Sequence, residues 1–359
     1  MTTQKCILDL TDSEIKERVT GMGEPAHRAQ QLQRWIYQGY ARSFTEMTDL
    51  PAAFRRKLSE DFSLHCLTPV KELTAKDGTV KTLFRLADES TIESALMPYS
   101  QNSKGERYTV CLSTQVGCPV GCSFCTTGQQ EFERNLSARE IIDQVLYFAY
   151  RLKEQGHAIT NIVFMGMGEP LLNYESLMQS LHTLTSPQRF ALGVRHITIS
   201  TAGVIPQIKL LSEEKLQVGL AISLHAANNT LRSKLVPINR KYPLEKLIPA
   251  CREYYEKTGR RVSFEYTLLR KINDSPEQAR ELAVLLGGLN CHVNLIPANP
   301  GNDARFQASA RNNVLMFQQE LRRFHITCTV RQRMGLDIAA GCGQLRSRFV
   351  QSRAGFRDG

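Results

Sequence analysis

The 359-residue chain lacks any apolar run approaching the ~20 residues that cross a bilayer, so no membrane-spanning helix is expected. Its opening, Met1-Thr-Thr-Gln-Lys-Cys-Ile, lacks the charged-then-apolar pattern of an export signal. A cytoplasmic location is the resulting expectation. No G-x-G-x-x-G turn is present, which argues against a doubly wound dinucleotide-binding sheet. Acidic residues are in the minority, 35 Asp and Glu against 45 Lys and Arg, giving a formal charge of +10. That excess suggests a polyanionic partner, nucleic acid first, with simple solubility as the plainer reading. At 42% hydrophobic and 22% charged, the chain has ordinary globular composition, enough for one large domain and a smaller one.

What the chain does have is cysteine. Ten in a non-exported protein point to metal binding or catalysis before a disulfide framework. Three fall in Val116-Gly-Cys118-Pro-Val-Gly-Cys122-Ser-Phe-Cys125, a Gly- and Pro-broken loop with C-x3-C-x2-C spacing. Thiolates bind zinc and iron–sulfur clusters, and structural sites of both kinds normally take four protein ligands. Three close ligands suggest a cubane with one iron left open to a small molecule. A zinc knuckle or three unrelated buried thiols also satisfy the spacing. Cys6, Cys66, Cys251, Cys291 and Cys328 are too scattered to supply a second cluster.

Residues 1 to about 70 read as helices. Thr11-Asp-Ser-Glu14 is a capping box ahead of Ile15 and Val19. Leu32, Trp35, Ile36 and Tyr40 recur at helical spacing, and Leu50-Pro51 opens a helix with Phe54 and Leu58. Arg28, Arg34, Arg42, Arg55, Arg56 and Lys57 decorate this bundle, as an RNA-gripping face or a merely solvated one. From Val70 the period becomes two, with a hairpin turn at Lys76-Asp77-Gly78 and strands over Ser90–Met97 and Tyr108–Thr114. Beyond the cysteine loop, Ser137-Ala-Arg-Glu140 caps a helix. Strands follow at Ile159–Met165, Val194–Ser200, Gln217–Leu224, Arg261–Leu269, His292–Ile296 and Ile326–Val330, with helices such as Pro243–Lys257 and Ser275–Leu286 between them. Six such units at roughly 30-residue spacing predict an α/β fold with a parallel sheet closed into a partial or full barrel. Arg331–Gly359 is Arg-rich with little periodicity.

In such folds ligand residues sit just after the strands. Gly166-Met-Gly168-Glu169-Pro170 follows one strand, and Glu169 can accept from an ammonium group. Ser200-Thr-Ala-Gly203, Ser223-Leu224-His225 and Pro297-Ala-Asn299-Pro300 follow three others. Singly, Ser200 could cap a helix and His225 could be a satisfied core histidine. Near the C-terminus, Gly341-Cys342-Gly343 puts a thiol on a pliable segment, or is a leftover free cysteine.

Gln115-Val-Gly-Cys118, Met165-Gly-Met-Gly-Glu-Pro170, Ile222-Ser-Leu-His225, Phe264-Glu-Tyr266, Val293-Asn-Leu-Ile-Pro297 and Cys342-Gly-Gln-Leu345 together resemble a known family. It is that of the radical S-adenosylmethionine (SAM) dual-specificity rRNA and tRNA adenine-C2 methyltransferases, and the likeness runs from the N-terminal helices to Leu345. The resemblance implies a partial (β/α)6 TIM-like barrel over 107–335. It also implies a helical RNA-binding accessory domain (1–70), a β-hairpin extension (71–106) and a catalytic-cysteine segment with a basic tail (336–359). It implies a [4Fe–4S] cluster on Cys118, Cys122 and Cys125, with SAM at Gly168, Glu169, Ser200, Ser223, Leu224, His225 and Asn299. Cys342 falls at the methylated cysteine, Cys111 at its partner thiol and Glu93 at the proton acceptor. The family departs here in showing two alanines before the last cysteine, where this chain has Ala340-Gly341. The implied reaction is methylation of adenine carbon 2 in 23S rRNA and tRNA through S-methylcysteine. It uses two SAM per turnover and a disulfide between Cys111 and Cys342. A monomeric enzyme reduced by a small electron-transfer protein is expected. Carbon-8 methylation by the same residues, or a non-enzymatic RNA binder with structural zinc, are the competing readings. Tail residues Arg346, Arg348, Arg353 and Arg357 are further candidates for RNA contact.

Overall fold

The computed structural model describes residues 4–101, 105–298, 305–338 and 341–354. At the N-terminus, β1 (Lys5–Cys6) is followed by α1 (Asp12–Gly21), α2 (His27–Tyr37), α3 (Ala52–Asp61) and β2 (Phe62–Ser63), and β1 pairs with β2 in parallel. The expected capping box forms: the Glu14 N–H donates to Thr11 Oγ1, and the Glu14 carboxylate accepts from the Thr11 N–H. Ile15, Val19, Leu32, Ile36, Phe54 and Leu58 are buried, as their helical spacing predicts. Much of the bundle's positive charge is engaged locally. Arg34 pairs with Asp49 at 2.7 Å, Arg28 donates to the Asp49 carbonyl, and Arg42 stacks on Tyr150.

Four antiparallel strands come next: β3 (Thr68–Thr74), β4 (Val80–Arg85), β5 (Thr91–Gln101) and β6 (Gly105–Cys111). The β3–β4 turn carries Gly78 at φ +82°. After the short pair β7 (Gln115–Val116) and β8 (Arg134–Asn135), helices and strands alternate. They are α4 (Ala138–Glu154), β9 (Asn161–Phe164), α5 (Tyr174–Thr185), β10 (Ile197–Thr201), α6 (Ile205–Glu213), β11 (Gly219–Ser223), α7 (Asn229–Leu235) and α8 (Leu244–Thr258). Then come β12 (Val262–Leu268), α9 (Pro276–Leu285), β13 (Cys291–Pro297), α10 (Arg311–Arg323), β14 (Cys328–Val330) and α11 (Gln344–Ala354).

One ten-stranded sheet results, ordered β14-β13-β12-β11-β10-β9-β6-β5-β4-β3. From β6 to β14 each strand lies parallel beside the one before it in the order, without reversal. A doubly wound sheet would reverse at its switch point; steady winding gives a barrel wall, here six strand–helix units and a seventh strand. β5 hydrogen-bonds directly onto β6, and β4 and β3 follow outward, extending that wall. The core is continuous from Ile7 through Phe84 and Phe148 to Phe317. No helix among the described residues is long and apolar enough to cross a membrane.

The chain's end departs from the expectation of an irregular tail. α11 forms over Gln344–Ala354 although its residues show no single apolar stripe. Contacts to distant residues hold it, and they include Arg346. That side chain turns inward, donating to Gln130 Oε1 at 2.6 Å and pairing with Glu133. It is 6% exposed and so is not a free cation for RNA, whereas Arg348 is exposed.

Candidate active site

Cys118, Cys122 and Cys125 sit half-buried on the loop after β7. Their sulfurs are free of disulfides. Val120 fastens the loop to the barrel's end by packing with Leu235, Val236, Ala202 and Ala298 in a small apolar cluster. Burial pushes the Cys118 thiol up to about 12 and those of Cys122 and Cys125 upward as well. An apolar site of this kind favours thiolates only when a cation or cluster compensates them. Among the described residues no three His, Cys, Asp or Glu side chains converge to hold a single ion. The three cysteines nevertheless line one cleft of about 280 Å³. Three thiols of one loop against one cleft are a donor set that fits a cluster with one iron left open.

The same cleft is lined by Gly168, Glu169, Ser200, Ser223 and His225, each at a strand end. Gly168 is at φ +103°, and a Cβ there would meet the Gln115 side chain at 2.6 Å, so only glycine fits. Glu169 is buried; its carboxylate accepts from the Leu171 N–H at 3.1 Å and the Ala202 N–H at 2.7 Å. Burial still pushes its carboxyl up to about 7. The Ser200 and Ser223 hydroxyls lie 3.4 Å apart. His225 adopts φ +58°, an uncommon conformation for a non-glycine residue. Its Nδ1 accepts from the Thr267 N–H at 3.0 Å, and burial pulls its pKa down to about 3. The ring is therefore neutral, with its proton on Nε2 available to a ligand. Leu224 differs: its side chain is in the core, its N–H donates to the Glu265 carbonyl and its own carbonyl accepts from Arg232. Asn299 lies outside the described residues.

A second cavity, about 190 Å³, adjoins the first. Glu93, Cys111 and Cys342 all line it, with Lys81, Met165, Arg331 and Met334. Cys342 lines both cavities and so stands at their junction. Its sulfur is 3.3 Å from Thr127 Oγ1. Gly343, at φ +77°, brings the backbone so close to Thr127 that a Cβ would sit 2.5 Å from its hydroxyl. Glu93 and Lys81 are almost wholly buried and pair at 2.8 Å. The Glu93 carboxylate also accepts the N–H groups of Gly343, Leu345 and Arg346 at the start of α11. An anion there meets unpaired amides and the positive end of the helix dipole. Lys81 also donates to the Gly341 carbonyl at 2.5 Å, so the pair pins the backbone on both sides of Cys342.

Residue-by-residue reading of the sequence missed several participants. Lys81, Thr127 and Arg331 carry no local signal, because they meet the site only through the fold. Glu265 belongs to the quoted Phe264-Glu-Tyr266 motif but was given no role. It lines the first cleft, 4% exposed; Oε1 accepts from Asn294 at 2.9 Å, and Oε2 has no partner among the described residues. A buried carboxylate oxygen without a donor marks where a bound ligand would supply one.

Comparison with known proteins matches this geometry. Residues 112–283 match the radical SAM superfamily, and residues 6–64 match the ribosomal RNA large subunit methyltransferase N-terminal domain. The chain is 45% identical over 345 residues to ribosomal RNA large subunit methyltransferase N of Nitrosopumilus maritimus, covering 95% of this chain and 98% of that protein. It is 46% identical over 348 residues to a probable dual-specificity RNA methyltransferase RlmN of Gloeobacter violaceus, covering 97% of each. A radical SAM methyltransferase from Sphaerobacter thermophilus has a similar crystal structure, with TM-score 0.89 and 48% identity over 95% of this chain and 98% of that one. With likeness at this level over nearly its whole length, the chain belongs to the RlmN family of radical SAM RNA methyltransferases.

Proposed function

We propose that the chain methylates carbon 2 of adenine in 23S rRNA and tRNA, using Cys342 as the carrier of the new carbon and two SAM molecules per turnover. The observation that carries this reading is that one cysteine lines both the three-cysteine cleft and the Glu93–Cys111 cavity. Carbon 2 lies between two ring nitrogens and is electron-poor, so it does not attack the methyl of SAM directly. A thiolate does. Cys342 would take the first methyl; burial pushes its thiol well above the usual range and Glu93 adds to the rise, with Lys81 working in the opposite direction. Cys118, Cys122 and Cys125 would hold the cluster, which would supply the one-electron chemistry that lets a second SAM take a hydrogen from the Cys342 methyl. Met165, Met334 and Arg331 would seat the adenine beside the Cys342 methylene. Addition to the ring would leave one unpaired electron, which would return to the one-electron carrier that supplied it as Glu93 takes the ring proton. Cys111 would then attack the Cys342 sulfur, an S–S bond forming as the S–C bond breaks and frees the base. A small electron-transfer protein would be the reductant, in the cytoplasm, with the chain acting as a monomer. In this reading 1–70 is the RNA-binding accessory domain, 71–106 an extension, 107–335 the radical SAM core and 336–359 the carrier segment.

Arg331 and Arg333 on the second cavity and exposed Arg348 are suited to phosphate. The adenine must leave its stack to reach Cys342. Nucleoside mass spectrometry after anaerobic reconstitution tests the reading: 2-methyladenosine in ribosomal and transfer RNA is expected. Methylation at carbon 8, or a colourless zinc protein without activity, would contradict it.

Glu169 adds a pH dependence. Its carboxylate form attracts the SAM ammonium, and burial puts its pKa at about 7. Protonation below that pH removes the attraction. SAM affinity is expected to weaken about tenfold per unit below pH 7 and to level off above it, as linkage to one proton requires. Calorimetric titration of the reconstituted protein from pH 6 to 8 measures this, and a flat profile would exclude Glu169 as the ammonium's partner.

A further inference from the structure

Arg232, on α7, is a fully buried arginine that the reaction outlined above does not use. Its Nε donates to the Leu224 carbonyl at 3.1 Å, and Nη1 donates to Asn239 Oδ1 at 2.7 Å. Nη2 reaches the carbonyls of Ala202 at 2.7 Å and Ser223 at 3.2 Å. The guanidinium thereby clamps the ends of β10 and β11, which carry Ser200, Ser223 and His225. All four acceptors are neutral. Among the described residues Arg232 makes no ion pair, and the ionisable groups within its electrostatic reach include the thiols of Cys122 and Cys251 and the neutral ring of His225. Burial pulls its pKa down to about 10, which still leaves it a cation at neutral pH.

A buried charge without a counter-charge is costly, and proteins seldom keep one without a partner. α7 is also fastened to the cysteine loop. The Ser123 N–H, next to Cys122, donates to the Leu235 carbonyl at the end of α7 at 3.0 Å, and Val120 and Leu235 belong to one apolar cluster. The unpaired cation is thus held at a fixed position beside the loop whose thiols would become anionic.

We propose that Arg232 is the counter-cation of the cluster held by Cys118, Cys122 and Cys125, and that its charge sets how readily that cluster accepts an electron. The proposal rests on the reading that these thiols bind a [4Fe–4S] cluster. Three thiolates outweigh the charge of the cluster core, and reduction adds one more negative charge. A fixed positive charge nearby favours the reduced form, the more so where the dielectric is low. Arg232 is a positioning residue in this account: it acts across space and through the strand-end carbonyls.

The test compares Arg232→Gln and Arg232→Lys in the full-length protein, reconstituted anaerobically and titrated reductively with detection by electron paramagnetic resonance. Gln keeps two N–H donors for the carbonyls but loses the charge; Lys keeps the charge. Loss of charge should make reduction at least about tenfold less favourable, a fall of about 59 mV for one electron. The Lys variant should stay within about threefold of the unaltered protein. A Gln variant that fails to retain iron and sulfide while the Lys variant retains them also supports the proposal. Equal potentials in all three proteins, an equal shift in both variants, or equal loss of the cluster from both would overturn it. If the unaltered protein takes up no iron and sulfide, the cluster reading itself fails, a result distinct from any difference between the variants.

Discussion

The Cys111→Ala protein is expected to act once and stop, with RNA covalently joined to Cys342. Cys111 on β6 and Cys342 before α11 open on the same cavity, and both are free thiols. In the proposed reaction, once the carbon carried by Cys342 has joined the ring, the sulfur would remain attached to it. Release needs a second sulfur: an S–S bond forms as the S–C bond breaks, the carbon keeping the electron pair and gaining a proton. Burial pushes the Cys111 thiol up, while Arg331 works in the opposite direction. Arg331 thus favours the attacking thiolate. Without Cys111 the adduct has no exit, so product should fall to at most about one equivalent per enzyme as a denaturation-resistant protein–RNA species builds up. Cys342→Ala should give neither product nor adduct. Normal multiple turnover by Cys111→Ala would remove the resolving role.

Glu93→Gln should lower turnover by about 10²- to 10⁴-fold, the range for losing a positioned proton acceptor, while leaving methylation of Cys342 intact. In the conformation described here Glu93 is fully engaged, by Lys81 and three N–H groups of the α11 start. A carboxylate with that many donors cannot take a ring proton. The base role therefore requires the Cys342 segment to lift away from Glu93 during the cycle, leaving Lys81 as its partner. Gln retains the shape and one acceptor oxygen, so docking of α11 is weakened and not abolished. The measurement is paired: intact mass for the protein methyl, and nucleoside analysis for the RNA methyl. Parallel loss of both would assign Glu93 to holding the segment and not to proton transfer.

These expectations show where the sequence was legible. The C-x3-C-x2-C loop, the Gly168-Glu169 turn and Ser223-Leu-His225 carry their geometry locally, in glycine positions and strand-end placement, and the barrel follows from the order of alternating elements. Capping boxes at Thr11 and Ser137 fixed helix starts for the same reason. Glu93 is different. Nothing in Ile92-Glu-Ser94 announces that its carboxylate will receive a helix 250 residues later, and only the family resemblance pointed to it. α11 was invisible because its residues have no apolar stripe; long-range hydrogen bonds that it donates to Glu93, Gln130 and Glu133 hold it. Arg346 was read as a surface cation by composition, but its three side-chain partners draw it inward. Arg232 and Glu265 were missed because, among the described residues, one is a cation without a counter-charge and the other has an oxygen without a donor, features that exist only once the chain is folded.

The most direct measurement is the intact mass of the protein purified after exposure to SAM, with the modified residue located by peptide fragmentation. One added methyl on the Cys342 sulfur is expected, and its carbon should pass into RNA when isotopically labelled. An active enzyme whose Cys342 never carries that methyl, or whose labelled methyl never reaches the base, would contradict the account.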